Sequence, residues 1–185
     1  MHRNARALTA LTLSLGVFAA GCGDDPDETA TTTSTTSAPT SSTIEVTTID
    51  YDFQGLPSEL DAGTSIEVRN ASTAELHELV ALRLPDDERR PVAELLALPP
   101  EQLEALFAAP PALVTVAPPG KDGFVALGDG KLTEPGRYAV VCFIPTGADP
   151  QAYLDALEAE PGQPPQVPGG PPHLASGMYK EVSVG

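Results

Sequence analysis

The sequence predicts an all-β domain, an antiparallel sandwich or barrel, behind an export signal and a polar tether. Three observations carry that expectation. Seven short segments rich in β-branched and aromatic residues recur between residues 44 and 184. The 20 prolines and 16 glycines fall largely between them, where turns are needed. There is no Trp, with only five Phe and four Tyr, so the core must be built from Val, Leu, Ile and Ala.

The elements follow in order. Met1 to Arg6 carries two arginines and no acid, and Ala7 to Ala20 is predominantly apolar. Those 14 residues are too few for a bilayer span, which needs roughly 20, and suit a secretory signal. The run closes in Ala19-Ala20-Gly21-Cys22, small residues before a cysteine. That stretch resembles the lipobox of bacterial lipoproteins, although Leu is commoner where Ala19 stands. The resemblance implies cleavage after residue 21 and lipid on Cys22, holding the protein at the extracytoplasmic face of a cell membrane. Residues 22–42 form a tether, acidic and then rich in Thr and Ser, which buries too little apolar surface to offset its chain entropy.

Residues 43–185 form the domain. Strands are expected at Ile44 to Phe53, Thr64 to Asn70, His77 to Leu84, Leu113 to Ala117, Asp122 to Leu127, Tyr138 to Ile144 and Tyr179 to Val184. Thr64 to Asn70 alternates apolar and polar residues, as a half-buried strand does, whereas His77 to Leu84 is more continuously apolar, as in a buried one. Two helical insertions interrupt the strands. Within residues 91–109, Leu95, Leu96, Leu98, Leu103, Leu106 and Phe107 fit two short amphipathic helices around Pro99-Pro100. At residues 149–160, Asp149-Pro150 offers an N-cap followed by a first-turn proline. Pro161 to Pro172 should return without regular structure.

Charge and cysteine content narrow the function. With the two signal arginines removed, eight of the ten Lys and Arg remain against 26 Asp and Glu, a net −18. Nucleic acid is an unsuitable partner for such a chain, because phosphate binding needs clustered Lys and Arg. Once Cys22 takes lipid, Cys142 has no partner for a disulfide. An unpaired thiol in an oxidising compartment is a liability unless buried or bound.

Besides the lipid-bearing Cys22, the processed chain holds two histidines, His77 and His173, one cysteine, Cys142, and one methionine, Met178. Two imidazoles, a thiolate and a weak thioether are the donor set of a type 1 copper site, where soft sulfur suits Cu(I) and imidazole suits Cu(II). Each residue also has a plainer reading: a hydrogen-bonded strand histidine, a small buried thiol, a core methionine. Their placement at strand ends favours the metal. Glu75 and Glu78, beside His77, read as surface charge. Gly128-Asp129-Gly130-Lys131 reads as a hairpin turn rather than a phosphate loop. A Cys142/His173 nucleophile would need a cleft and an orienting third group, neither visible in the sequence, so no catalytic residue is expected and the chain does not read as an enzyme.

Three stretches resemble the cupredoxins, the family of plastocyanin, azurin and amicyanin. Asn70-Ala71-Ser72 through His77 looks like the family's Asn-containing turn before its first copper histidine. Pro135-Gly136-Arg137-Tyr138-Ala139-Val140-Val141-Cys142 is similar to its Pro-Gly-x-Tyr-x-x-x-Cys strand. His173-Leu174-Ala175-Ser176-Gly177-Met178 matches its His-x4-Met spacing. The resemblance implies a Greek-key β-sandwich, one type 1 copper ion held by His77, Cys142, His173 and Met178, and one-electron transfer with a redox protein partner. Copper delivery or buffering would use the same donors, and a metal-free interaction module would use the same fold. The sequence departs from the family in two places. Thirty residues separate Cys142 from His173, where the family has a tight loop, and Glu78 follows His77 in place of the more familiar Asn.

Overall fold

The computed structural model describes residues 42–185; the signal, Cys22 and the tether up to residue 41 lie outside the described residues. Two sheets face each other. The smaller contains β1 (Thr43–Ile49), β2 (Asp52–Gln54), β4 (Thr64–Asn70) and β8 (Lys131–Leu132), in the order β2-β1-β4-β8. The larger contains β3 (Glu59–Leu60), β5 (His77–Arg83), β6 (Leu113–Ala117), β7 (Phe124–Leu127), β9 (Gly136–Val141) and β10 (Tyr179–Val184), in the order β3-β10-β9-β5-β6-β7. Within the larger sheet β5, β6 and β7 meander and β9 returns beside β5, which is a Greek key. The sandwich expected from the sequence is present, and its seven longer strands fall on the seven predicted segments.

Two details differ. Ile44 to Phe53 is not one strand: Asp50 and Tyr51 take positive φ values of 34° and 71° and turn it into the β1–β2 hairpin, with Ile49 opposite Asp52. Two left-handed central residues match the twist of a two-residue hairpin, a geometry usually marked by Asn-Gly, so this turn carries no sequence flag. The pairing is also not wholly antiparallel. After β2 the chain crosses to β3 in the other sheet, and β4 then lies parallel to β1, with Thr43 opposite Ser65 and Thr48 opposite Asn70. Likewise β3 is parallel to β10.

Burial follows the layers. β4 alternates buried and exposed positions, because only one of its faces meets the core of Val46, Phe53, Ile66, Val68, Leu79, Val116 and Val140. β5 is buried at six of its seven positions. Its outer face is covered by α1 (Val92–Leu95), where Val92 and Leu95 pack on Val80, Leu82 and Leu84. Arg137 of β9 fixes that insertion: its guanidinium donates to Glu181 at 2.7 Å and to the carbonyls of Glu88 and Arg90 at 2.7 and 2.9 Å. A second short helix, α2 (Pro100–Leu106), completes the insertion.

The later insertion forms α3 (Pro150–Ala159), started as its sequence predicts: the Asp149 carboxylate accepts from the Ala152 N–H at 2.8 Å. Tyr153 turns inward from it. Asp149→Ala should lower the unfolding free energy by about 1 kcal/mol, measured by urea denaturation of the copper-free protein.

Candidate metal centre

β5 and β9 are antiparallel neighbours, so the start of one and the end of the other meet at the same end of the sandwich. His77 opens β5 and Cys142 follows β9 directly. The Asn70 turn delivers His77. Asn70 is buried, and its amide donates to the carbonyls of Glu75 and Ala117 at 2.9 and 2.8 Å while its oxygen accepts from the Ser72 N–H at 2.8 Å. The Asn in this motif thus ties the turn to β6, the strand beside His77.

His173 arrives from the far side of the thirty-residue excursion, and paired backbone brings it in. The Leu174 N–H donates to the Cys142 carbonyl and the His173 N–H to Ile144, both at 2.9 Å; the Thr146 N–H donates to Pro171 at 3.0 Å and the Gly170 N–H to Thr146 at 2.8 Å. Residues 142–146 and 170–174 therefore form a closed stem, with α3 looping out beyond it. A Cβ at Gly169 would lie 2.4 Å from that of Pro145, so the limbs approach this closely only because that position is glycine. His173 then enters a 3-10 turn (His173–Ser176) that ends at Gly177, whose φ of 98° favours glycine. The chain continues into Met178, whose carbonyl accepts from the Cys142 N–H at 3.2 Å.

The four predicted donor residues are all fully buried, each with 0 % relative exposure. Nδ1 of His77 lies 3.2 Å from Nδ1 of His173, which lies 3.4 Å from Sγ of Cys142, and donor atoms of all three residues fall within 4.8 Å of one another. Nitrogen and sulfur donors held about 2.0 and 2.3 Å from a shared ion, at trigonal to tetrahedral angles, stand about 3.3 to 3.7 Å apart. The His77–His173 and Cys142–His173 separations are close to that range, and the chemistry of the three donors fits a single type 1 copper. Met178 is joined to two of the three through its backbone: its N–H donates to the His173 carbonyl and its carbonyl accepts from the Cys142 N–H, both at 3.2 Å.

Glu78 is not surface charge, and Glu75 is only partly exposed. Glu78 is 5 % exposed, and its carboxylate accepts from the Phe143 N–H at 3.0 Å and from the Tyr153 hydroxyl at 2.8 Å. Its own N–H points to Cys142 Sγ at 3.4 Å, a contact that needs no particular side chain after His77. The signal was an acid inside an otherwise apolar buried strand. Glu75 places Oε2 3.4 Å from Nε2 of His173. The ring of Tyr51 meets His173 edge-on, with centroids 4.8 Å apart. No sequence pattern marks either residue, since both contacts depend on the fold.

Burial, and secondarily the nearby Glu78, pushes the Cys142 thiol well above its ordinary value. Burial, and then His173, lowers His77 to about 4. Burial also lowers His173, with Glu75 opposing it. At neutral pH the metal-free centre is therefore a neutral thiol beside two neutral imidazoles.

A Greek-key sandwich that places a histidine at the start of β5, a cysteine at the end of β9, and a histidine and methionine ahead of the last strand matches the arrangement the sequence motifs imply. The fold is cupredoxin-like. No protein-family model matches the chain, and no curated protein sequence does. Among solved structures, it is similar to a dithionite-reduced auracyanin from the photosynthetic bacterium Roseiflexus castenholzii, at 20% identity and a TM-score of 0.41, over 78% of this chain and 98% of that one. It is also similar to auracyanin B, at 18% identity and a TM-score of 0.39, over 78% and 88% of the two chains. A third is auracyanin A, a "blue" copper protein from the green thermophilic photosynthetic bacterium Chloroflexus aurantiacus, at 15% identity and a TM-score of 0.38, over 77% and 98%.

Binding through a thiolate must release the Cys142 proton, so apparent affinity should rise tenfold per pH unit across neutral pH. Because burial lowers both imidazoles, that slope should persist below pH 6.5, where imidazoles of ordinary pKa would already steepen it. Competition with a chelator for zinc, a redox-silent probe of the same donors, measures it.

Proposed function

We propose that this protein is a copper-binding electron carrier, anchored by lipid on Cys22 at the extracytoplasmic face of the membrane, and that His77, Cys142 and His173 hold the ion with Met178 as the weak fourth donor. The observation that carries this reading is the convergence of two imidazole nitrogens and one thiol sulfur in a fully buried cluster. Without an ion the grouping is costly. Nε2 of His77 and Nε2 of His173 are both buried without a hydrogen-bond partner among the described residues. Copper, when bound, supplies a one-electron couple.

The chain's own residues do the rest. The strand ends and the stem hold the donors in place in either oxidation state, the burial excludes water, and the Glu78 N–H points at the sulfur. Full burial of every donor favours an ion kept in place over one handed on, and so electron transfer over copper delivery.

The place where the tether enters the domain is compatible with the anchoring. The tether joins at Thr43, the end of β1 opposite the cluster, about 20 Å away at the usual rise of a seven-residue strand. Attachment through Cys22 thus enters the domain away from the cluster and leaves that end of the sandwich open to a redox protein partner.

Loading the reduced chain with Cu(II) should give an intense thiolate-to-copper visible band, which Cys142→Ser abolishes while the domain stays folded. Absence of the band from folded, reduced protein, with no copper bound in equilibrium dialysis, would overturn the metal assignment. Separately, Cys22→Ser should move the protein from the membrane to the soluble fraction; retention on the membrane would refute the lipid anchor.

A further inference from the structure

His77 and His173 are held by different means. His77 belongs to a paired strand, opposite Ala117 of β6, so its backbone is fixed by that ladder. His173 stands where the stem enters a 3-10 turn, its N–H and carbonyl bonded to Ile144 and Met178, so its backbone is held while its ring plane is set by the side chains around it. With Nδ1 directed at His77 and Cys142, Nε2 must carry the ring hydrogen when Nδ1 serves a metal. The carboxylate oxygen nearest that nitrogen is Oε2 of Glu75, at 3.4 Å: within ion-pair distance, though not aligned as a hydrogen bond, so that Nε2 is otherwise without a partner among the described residues.

Glu75 is itself well anchored. Its N–H donates to the Ser72 hydroxyl at 3.0 Å, and its carbonyl accepts from the Asn70 amide at 2.9 Å. Its carboxylate also accepts from the Gly147 N–H, at 3.2 and 3.3 Å for the two oxygens. One side chain thus links the turn that delivers His77, the limb that follows Cys142, and the ring of His173. Tyr51 closes another side of that ring.

We infer that Glu75 is a positioning residue for the metal centre: through Nε2 of His173 and the Gly147 N–H, it supplies the ligand rigidity that a short Cys–His loop would otherwise provide. This rests on the copper reading. A carboxylate on the distal nitrogen fixes the tautomer and the ring plane, and removing such a partner typically weakens metal binding 10- to 100-fold.

Full-chain wild type must first show the thiolate-to-copper band; if it does not, the copper reading fails and this inference is not what was tested. Given that band, Cu(I) affinity is measured by chelator competition for Glu75→Gln, Glu75→Asp and Glu75→Ala, with the Cu(II) electron-paramagnetic spectrum recorded for each. Positioning requires reach and an acceptor rather than charge. Glu75→Gln should stay within about threefold of wild type, while Glu75→Asp, which keeps the charge but falls short, should bind 10- to 100-fold more weakly and alter the copper hyperfine coupling. Glu75→Ala should match Glu75→Asp, and if it fails to fold the other two variants still decide. Wild-type affinity and spectrum in Glu75→Asp would overturn the inference. So would a loss in Glu75→Gln as large as that in Glu75→Asp.

Discussion

The backbone pairing of residues 142–146 with 170–174 is the constraint on which the centre depends. Cys142 and His173 are thirty residues apart in the chain, yet donor atoms of the two lie 3.4 Å apart in space. Closing so long a loop rather than one of five residues costs only about 1.6 kcal/mol more, because closure entropy grows with the logarithm of length. Four backbone hydrogen bonds and one from the Thr146 hydroxyl to the Pro171 carbonyl line the stem. At roughly 1 kcal/mol net each they outweigh that difference. The ligand loop is therefore short in effect: past Thr146 and Gly170 the chain can carry α3 and a proline-rich return without lengthening the path that sets the geometry.

What the excursion adds is cover. Tyr153 leaves α3 to donate to the Glu78 carboxylate, and Glu78 in turn accepts from the Phe143 N–H beside Cys142. Burial raises the Glu78 carboxyl, and these two bonds counter it. The same desolvation acts on the donors. A dry site disfavours a bare thiolate and protonated imidazoles, yet it strengthens any interaction of the thiolate with a cation. The centre is thus poorly suited to charge by itself and well suited to an ion that brings its own positive charge.

Much of this was legible in the sequence, for identifiable reasons. Strand positions could be read because β4 alternates and β5 is continuously apolar, patterns imposed directly by one-sided and two-sided burial. α3 was announced by Asp149-Pro150. The four donor residues stood out because residues 43–185 contain no other His, Cys or Met. The rest depends on tertiary contact. Asp50-Tyr51 makes a left-handed turn without glycine, so Ile44 to Phe53 reads as one strand. The parallel pairing of β1 with β4 follows from a crossing between sheets that no local pattern encodes. Glu75 and Glu78 look like solvated charge until Gly147, His173 and Tyr153, distant in sequence, are folded against them. The stem could not be read because its bonds come from backbone groups, which every sequence has.

The central claim is that this stem brings two imidazole nitrogens and one sulfur onto a single copper ion. X-ray absorption at the copper edge of the loaded protein measures that directly, because it counts and ranges the nearest scatterers. The account predicts two nitrogen neighbours at about 2.0 Å and one short sulfur neighbour at no more than about 2.3 Å. A shell of oxygen and nitrogen alone, with no short sulfur, would contradict it.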